Sequence, residues 1–245
     1  MKILRLSLLA VVLAIPAFLS PAAAAPAEEP APAVVARYGF DGGATDGKIP
    51  DLSGRGGALT VRSNNNGVIA FTSGDGGRFA SFPAPCAAGA TTCARALLEA
   101  PDDADLNPGA RNFTWAAGVR LTRAQLNGSA NVMQKGVANA DSQWKMQIGG
   151  KTGRAQCVMV ARGSGQVFMA LSAKPVADGN WHRVVCQRSG TNLIVSVDNV
   201  IGERTPVPAT LSVENNRPMR VGGPNFGTNS DMYHGQLDDV YAQLG

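Results

Sequence analysis

Short stretches in which apolar and polar residues alternate recur along most of the chain. Residues 113–119 read Phe-Thr-Trp-Ala-Ala-Gly-Val, and Leu193, Val195 and Val197 share one face of another stretch. A period of two places successive side chains on opposite faces of an extended backbone. The pattern predicts β-strands in these two stretches and at residues 36–40, 145–148, 156–160, 166–171, 181–188, 219–221 and 237–244.

Turn residues separate these stretches and leave little room for helices. Asp178-Gly179-Asn180 precedes one predicted strand, and Asp198-Asn199 lies where a two-residue hairpin turn would fall. Asn and Asp tolerate the positive φ that such a turn needs. Only residues 94–100 and 123–126 are predicted to be helical, so the pattern indicates an all-β sandwich or barrel.

One predicted strand departs from simple alternation. Leu237 and Val240 are three residues apart, so a regular strand would turn them to opposite faces. A β-bulge near Asp238 and Asp239 would return both apolar side chains to the core. Burial of both faces of this strand is the other solution.

The N-terminal sequence predicts export from the cytoplasm. Lys2 and Arg5 precede an apolar stretch at residues 6–19, and a run of small residues follows it. This arrangement is typical of a signal peptide, here residues 1–24, cleaved after Ala24. An uncleaved anchor helix is the alternative, but the apolar stretch is short and no stop-transfer pattern follows it. We therefore expect a secreted, extracellular protein that is not inserted in a membrane once the signal is removed.

Composition beyond the signal peptide indicates one globular domain. Residues 25–33 are rich in Pro and Ala and are predicted to form a disordered lead. Residues 34–245 are long for one domain but usual for a large β-sandwich. Without Lys2 and Arg5 the chain has 20 basic and 18 acidic residues, and the basic ones are scattered. A nucleic-acid-binding domain would carry a clustered basic surface, so that class of function is not expected.

The cysteine count predicts two disulfides. Cys86, Cys93, Cys157 and Cys186 are an even number in a predicted extracellular chain, and they allow three pairings. We favour Cys86–Cys93, which bracket a loop of small residues. We also favour Cys157–Cys186, which lie on two predicted strands that could be antiparallel neighbours. Their spacing is not that of a zinc site.

Several motifs occur in an order that is found in one family of β-sandwich domains. Residues 178–184 read Asp-Gly-Asn-Trp-His-Arg-Val and precede the strand-like residues 193–198. Residues 233–240 read Tyr-His-Gly-Gln-Leu-Asp-Asp-Val and form a closing strand motif. With these motifs the chain resembles laminin G-like domains of the concanavalin A-like superfamily, in particular secreted actinobacterial members. The remaining matching segments are residues 38–41, 51–56, 106–109 and 113–115.

The resemblance implies a two-sheet antiparallel jelly-roll sandwich. In that superfamily, ligands sit on the concave sheet or on the loops at its rim. The superfamily includes glycan binders, protein binders, glycosidases and polysaccharide lyases, so the fold alone does not define the function. Asn199 stands where the family often has Gly, which affects the hairpin turn and not the fold.

The sequence lacks the residue patterns of catalysis. The Glu-x-Asp-x-x-Glu strand of sandwich glucanases is absent, and so is the Gly-x-Ser-x-Gly nucleophile elbow. Asp238 and Asp239 are adjacent and would point to opposite faces of a regular strand. His182 and His234 are the only histidines and neither lies in a lyase motif, so His182 is expected to be structural. We expect a non-catalytic protein; a divergent glycosidase or lyase would need two carboxylates facing each other across a cleft.

A structural calcium ion is one expectation for the opening and closing strands. Asp41 or Asp51 could meet Asp238 where these strands are neighbours, with turn carbonyls completing the oxygen shell. Many members of the family that the chain resembles hold such an ion. Alternatively, Asp51 makes a local Asx turn and Asp238 accepts backbone N–H bonds.

Polar loops and one strand supply the candidate ligand contacts. Sugar binding needs planar apolar surface together with groups that hydrogen-bond hydroxyls, and Trp115 and Trp181 are assigned to the core. A carbohydrate-binding, lectin-like module for extracellular polysaccharide is therefore expected to expose Tyr233 and Trp144. A protein-interaction or adhesion domain for a surface protein, the alternative, is expected to expose an apolar patch instead. The candidate ligand-binding residues are Asn65, Asp75, Trp144, Asn225, Asn229, Asp231 and Tyr233.

Overall fold

The protein folds as two antiparallel β-sheets that face each other across one apolar core. The computed structural model describes residues 31–74, 76–87, 89–90, 92–227 and 229–245. The predicted signal peptide and most of the predicted lead lie outside these residues, and the first strand begins at Ala33, one residue before the predicted domain. No helix of the described segments is long and apolar enough to span a membrane. The strands are β1 (Ala33–Tyr38), β2 (Lys48–Ile49), β3 (Leu59–Asn64), β4 (Ala70–Gly74), β5 (Gly77–Ser81), β6 (Arg95–Ala100), β7 (Phe113–Arg120), β8 (Ala130–Gly136), β9 (Gln143–Ile148), β10 (Arg154–Val160), β11 (Val167–Pro175), β12 (His182–Ser189), β13 (Asn192–Val197), β14 (Val200–Pro206), β15 (Met219–Val221) and β16 (Gln236–Leu244).

Each sheet contains eight strands. The first sheet has the order β14-β13-β12-β7-β16-β5-β4, and β1 also pairs with β16. The second sheet has the order β11-β10-β9-β8-β15-β6-β3-β2. Sequence-distant strands are therefore neighbours, as in the predicted all-β jelly-roll sandwich, and that prediction is confirmed.

Local sequence explains two details of the first sheet that the alternation pattern raised. Asp198 and Asn199 have φ values of 50° and 65° and join β13 to β14, so the predicted two-residue hairpin turn is confirmed. Asp239 has a φ of 42° at a register break in β16, and Leu237 and Val240 are both fully buried. The predicted β-bulge is therefore confirmed, and it turns both apolar side chains into the core.

The prediction of a helix at residues 94–100 is wrong. Arg95–Ala100 is the strand β6, which pairs with β3 on one side and with β15 on the other. Ala, Leu and Glu favour helices intrinsically, but pairing on both edges and burial of Leu98 override that preference. The short helical prediction near residue 123 is confirmed as a 3₁₀ turn at Arg123–Gln125.

An aromatic cluster fills the core between the sheets. The rings of Phe113 and Trp115 from β7 pack against Trp144 from β9, with centroid distances of 5.3 to 5.9 Å. All three side chains are fully buried. The indole N–H of Trp144 donates to the carbonyl of Leu106 at 3.0 Å, which satisfies its polar atom.

Both predicted disulfides are present, but one joins different elements from those expected. Cys86–Cys93 closes a short loop, and Cys157–Cys186 has a Cα–Cα distance of 5.4 Å. Cys157 lies in β10 of the second sheet and Cys186 in β12 of the first, so these strands are not neighbours in one sheet. The expectation of neighbouring strands is wrong because both thiols face the core. The bond therefore links the two sheets covalently.

Candidate functional site

A single row of side chains crosses the outer face of the second sheet. Cross-strand partners in successive antiparallel pairs lie on the same face. The register therefore aligns one residue from each of the eight strands. In spatial order the row is Lys48, Thr60, Glu99, Arg220, Gln134, Lys145, Val158 and Met169.

A second partial row runs beside the first. Arg62 pairs with Leu97 at one end, and Asn131 pairs with Gln147, which pairs with Gln156, toward the other end. Gln147 Nε2 donates to Gln156 Oε1 at 2.6 Å. We call these two rows the polar face, because most of their members are charged residues or amides.

Ion pairs organise the end of the polar face near β3. Glu99 lies between two guanidinium groups, 2.8 Å from Arg220 Nε and 3.5 Å from Arg62 Nε. Arg220 Nη1 also donates to the carbonyl of Pro224 at 2.6 Å. A cavity of about 390 Å³ opens here, and its lining includes Lys48, Thr60, Arg62 and Glu99.

Lys145 is the most buried of the ion-paired cations of the polar face. Its side chain is only 13% exposed, and Nζ is 3.4 Å from Asp231 Oδ2. Burial lowers the pKa of Lys145, and the negative charge of Asp231 opposes that shift. The ammonium is therefore held in a poorly solvated place with one carboxylate nearby.

Asn131 carries a buried acceptor beside this ammonium. Its side chain is fully buried and Nδ2 donates to Gln134 Oε1, but Oδ1 has no hydrogen-bond partner in the described structure. An unsatisfied buried acceptor costs roughly 1–3 kcal/mol.

The candidate residues Asn225, Asn229 and Asp231 lie at or beside the polar face. Asn225 Oδ1 accepts from the backbone of Gly227 at 2.7 Å and from the Ser230 hydroxyl, so it braces the loop, and Asn229 is exposed. The carbonyl of Asp231 accepts from the backbone N–H of Asn131 at 2.9 Å. Of the predicted ligand residues, the structure therefore brings Asp231 onto the polar face and Asn225 and Asn229 to its border.

Of the two remaining predicted contacts, Asn65 lies away from the polar face. Asn65 occupies a turn with a φ of 49°, and its Nδ2 donates to the carbonyl of Cys93 at 3.0 Å. This side chain holds two loops together. Asp75 lies outside the described residues.

The prediction that Trp144 and Tyr233 are exposed for stacking on a ligand is wrong, and so is the assignment of Trp181 to the core. Trp144 and Tyr233 are fully buried and cannot offer a ring to a ligand. The Tyr233 hydroxyl hydrogen-bonds the carbonyl of Gln236 at 3.0 Å, and burial raises the pKa of Tyr233. Trp181, assigned to the core, is 38% exposed on the outer face of the first sheet, where its ring lies 5.4 Å from that of Phe79.

The three predicted calcium ligands have separate partners. Asp51 Oδ2 accepts from the Ser53 hydroxyl at 2.5 Å and from the backbone of Gly56 at 3.0 Å, as in an Asx turn. Asp41 Oδ1 accepts from the backbone of Arg78. Burial raises the pKa of Asp238, and the charge of Asp41 adds to the shift. The described segments contain no group of three or more His, Cys, Asp or Glu side chains placed for a metal, so calcium binding stays a prediction.

His182 is held between two carboxylates. Nδ1 is 2.7 Å from Asp198 Oδ2 and Nε2 is 3.1 Å from Asp178 Oδ1, so both ring nitrogens are engaged. Burial lowers the pKa of His182, but the bonds to Asp198 and Asp178 raise it by more, so the net shift is upward. The backbone of Asn180 and then His182 lower the pKa of Asp178 to about 2. The histidine joins the turn before β12 to the turn after β13, which is the structural role that we expected.

This clamp predicts a pH-dependent stability. A raised folded-state pKa makes the contribution of His182 fully present below about pH 6.5 and lost as pH rises through the folded-state pKa. Asp178 stays ionised down to about pH 2, so it supports the clamp over this range. We expect His182→Asn to lower the melting temperature more at about pH 5.5 than at about pH 9. Scanning fluorimetry measures the melting temperatures of wild type and variant at both pH values. A decrease in melting temperature that is constant or grows with pH contradicts the stabilising role of the protonated His182.

A cavity lies at one end of the sandwich. Its volume is about 630 Å³, and three carboxylates from Asp102, Asp141 and Glu214 line it. Each is paired with a cation: Asp102 with the fully buried Lys135 at 2.7 Å, Asp141 with Arg217 at 2.7 Å, and Glu214 with Arg162 at 3.4 Å. The cleft thus contains three carboxylates, and each is held by a cation.

Comparison with known families decides the classification. Residues 95–242, more than half of the chain, match the family model described as the concanavalin A-like lectin/glucanases superfamily. The chain belongs to this superfamily. The resemblance inferred from the sequence motifs is therefore confirmed.

Several solved structures share this fold. Domain 4 of AbnA, a GH43 extracellular arabinanase from Geobacillus stearothermophilus solved with arabinotriose, superposes with a TM-score of 0.66 at 16% identity, over 87% of this chain and 93% of that one. The binding domain of Paraclostridial Mosquitocidal Protein 1 has a TM-score of 0.61 at 13% identity, over 86% of this chain and 48% of that one. A structure of botulinum neurotoxin type C, whose cell entry depends on two ganglioside molecules, has a TM-score of 0.61 at 9% identity, over 86% and 47%. The chain thus spans about half the length of the two toxin chains, and these low identities establish the fold alone. No curated protein sequence matches the chain.

Sequence reasoning missed most of the polar face. Gln134, Gln156 and Arg220 occupy polar positions within strands, which an alternation pattern explains simply as a solvated face. The signal that could have found them is the alternation on β9, where Gln143, Lys145 and Gln147 are all polar. Which strands lie beside β9 in this lectin-like fold follows only from the sheet order.

Proposed function

We propose that this protein is a secreted, non-catalytic carbohydrate-binding module that binds polysaccharide along the polar face. The observation that carries the proposal is the continuous row from Lys48 to Lys145, which spans five strand intervals, about 24 Å. An extended ligand with repeating hydroxyl groups fits such a row. The lectin-like fold and the arabinotriose complex of AbnA domain 4 support this class of ligand.

The chemistry of the polar face suits hydroxyl groups. Gln147 and Gln156 each carry an amide group with donors and an acceptor, and Lys145 offers an ammonium donor. The two rows contain no aromatic ring. Recognition therefore rests on hydrogen bonds, with apolar contact from Val158 and Met169 at one end of the row.

Separate observations support secretion and lack of catalysis. Two disulfides suit an oxidising compartment, in agreement with the signal peptide predicted at residues 1–24. The carboxylates of the polar face, Glu99 and Asp231, are paired with cations, as are the three in the cleft. A glycosidase uses two carboxyl groups that act on the scissile bond, and these carboxylates are engaged by cations instead.

A protein partner is less well matched by the exposed apolar side chains. Val167 and Val200 are 54% and 59% exposed and begin two strands, β11 and β14, that lie side by side. Met169 and Leu171 of β11 lie opposite Thr205 and Glu203 of β14, so the two strands run antiparallel and their first residues are at opposite ends. A protein-binding surface would join such residues in one patch.

Replacing the two amides tests the site. We expect the double variant Gln147→Ala/Gln156→Ala to weaken binding of the recognised polysaccharide roughly tenfold, because each lost hydrogen bond costs about 1 kcal/mol or less. Affinity electrophoresis against a panel that includes arabinan, with and without calcium or EDTA, measures the change and identifies the ligand.

Matched variants on the other sheet serve as controls. Gln187→Ala removes one amide from the exposed outer face of the first sheet and is expected to bind like the wild type. Trp181→Ala removes the exposed ring of that same face. Loss of binding with Trp181→Ala but not with the double variant would overturn the polar face as the site.

A further inference from the structure

The polar face concentrates positive charge. Lys48, Arg62, Arg220 and Lys145 lie on its rows. Against these four cations stand the two anions Glu99 and Asp231, a net charge of +2. The whole chain carries +4, and removal of Lys2 and Arg5 with the predicted signal lowers that value to +2. The net positive charge of this one surface therefore equals that of the chain without the predicted signal.

The pairing within the face leaves this charge uncompensated. Glu99 serves both Arg62 and Arg220, so one carboxylate faces two guanidinium groups. Lys145 has Asp231 at 3.4 Å, a longer distance than the usual charge-assisted hydrogen bond. Lys48 is exposed at the far end of the row. A ligand that brings negative charge to the row would gain attraction in a place of reduced solvation.

We infer that the polar face takes an acidic polysaccharide, in which uronate carboxylates meet the cations of the row while hydroxyl groups meet the amides. The inference rests on the proposed carbohydrate-binding function and specifies its substrate class. Along the row, Lys48 and Arg220 are three strand intervals apart and Arg220 and Lys145 two, about 14 and 10 Å. Cations repeated at such intervals suit a polymer that carries a carboxylate at regular steps. The apolar residues Val158 and Met169 end the row where the positive charge ends.

A pair of polymers with the same backbone isolates the contribution of the carboxylates. Polygalacturonate and its carboxyl-reduced form, a neutral galactan, are compared by affinity electrophoresis and titration calorimetry on the mature protein. We expect polygalacturonate to bind roughly five- to tenfold more tightly at low ionic strength. We expect this preference to shrink as salt is raised to about 1 M, where the Debye length falls to about 3 Å.

Charge variants locate the preference. Lys145→Met replaces the most buried of the ion-paired cations of the polar face by an apolar side chain of similar length, and we expect it to abolish most of the preference for polygalacturonate. Lys145→Arg keeps the charge and is expected to retain the preference. Lys174→Met removes an exposed lysine outside the polar face and is expected to behave as the wild type. Melting curves of each variant confirm that it is folded.

The outcomes separate the substrate class from the function. Equal binding of both polymers, or a preference for the neutral one, overturns the acidic class and leaves the carbohydrate-binding function standing. Binding of neither polymer nor any other member of the polysaccharide panel by folded wild-type protein overturns both. Equally tight binding of polyglutamate, an anionic polymer without sugars, overturns the class as well, because the face would then select charge alone.

Discussion

Arg188→Met is expected to lower the free energy of unfolding by about 3 kcal/mol or more. The guanidinium is 1% exposed and bonds no carboxylate. Its donors serve backbone carbonyls instead: Nη1 the carbonyl of Leu211, Nη2 that of Ala209 at 3.1 Å, and Nε that of Gly190 at 3.3 Å. The bond to Leu211 is buried and the other two are partly buried. A buried carbonyl that loses its donor costs roughly 1–3 kcal/mol, and the two partly exposed carbonyls add smaller losses. Urea unfolding followed by tryptophan fluorescence measures the change.

Two further variants make this prediction specific. Arg188→Lys keeps the charge but has one nitrogen for carbonyls that lie in different directions, so we expect an intermediate loss. Lys135→Met removes the other fully buried cation, and it is expected to cost less than Arg188→Met. The Asn107 Oδ1 and Asn215 Oδ1 that its ammonium contacts also accept backbone N–H groups. A loss with Arg188→Met no greater than with Lys135→Met would refute the idea that Arg188 holds these loops together.

Strand alternation was enough to predict the fold class, and the errors came where one residue type dominated the interpretation. Ala, Leu and Glu within residues 94–100 favour a helix by their intrinsic preference. Pairing with β3 and β15 makes Arg95–Ala100 a strand instead. The polar neighbours Gln143 and Lys145 favour the interpretation of Trp144 as a ligand contact. Its own alternation with Met146 and Ile148 indicates the apolar face, and all three are fully buried.

The candidate site was less accessible to sequence reasoning because cross-strand register forms it. Glu99 and Arg220 are 121 residues apart and their side chains meet at 2.8 Å because β6 pairs with β15. Composition could identify polar loops such as the one containing Asn225 and Asp231. It could not identify which polar strand positions share a face across eight strands, since that depends on the sheet order and on the register break in β8.

Replacing both cysteines of the Cys157–Cys186 pair with Ala is expected to lower the free energy of unfolding by about 3.6 kcal/mol. The bond closes a loop of 29 residues, and cross-linking a loop of that length restricts the unfolded chain by about this amount. The same substitution of Cys86–Cys93, which closes a loop of 7 residues, is expected to cost only about 2.4 kcal/mol. The larger value also belongs to the bond that joins the two sheets.

Urea unfolding of the two double variants side by side measures this difference. The small size of Ala and Cys keeps the cavity contribution low in both cases, and the neighbouring core residues are unchanged. Wild-type protein under reducing conditions should approach the sum of the two losses, because the two bonds are far apart in the chain and act on separate loops. If loss of the short loop's disulfide cost as much as loss of the inter-sheet bond, restriction of the unfolded chain would not be the source of the stabilisation. The link between the sheets would then be explained by native packing around Cys157 and Cys186.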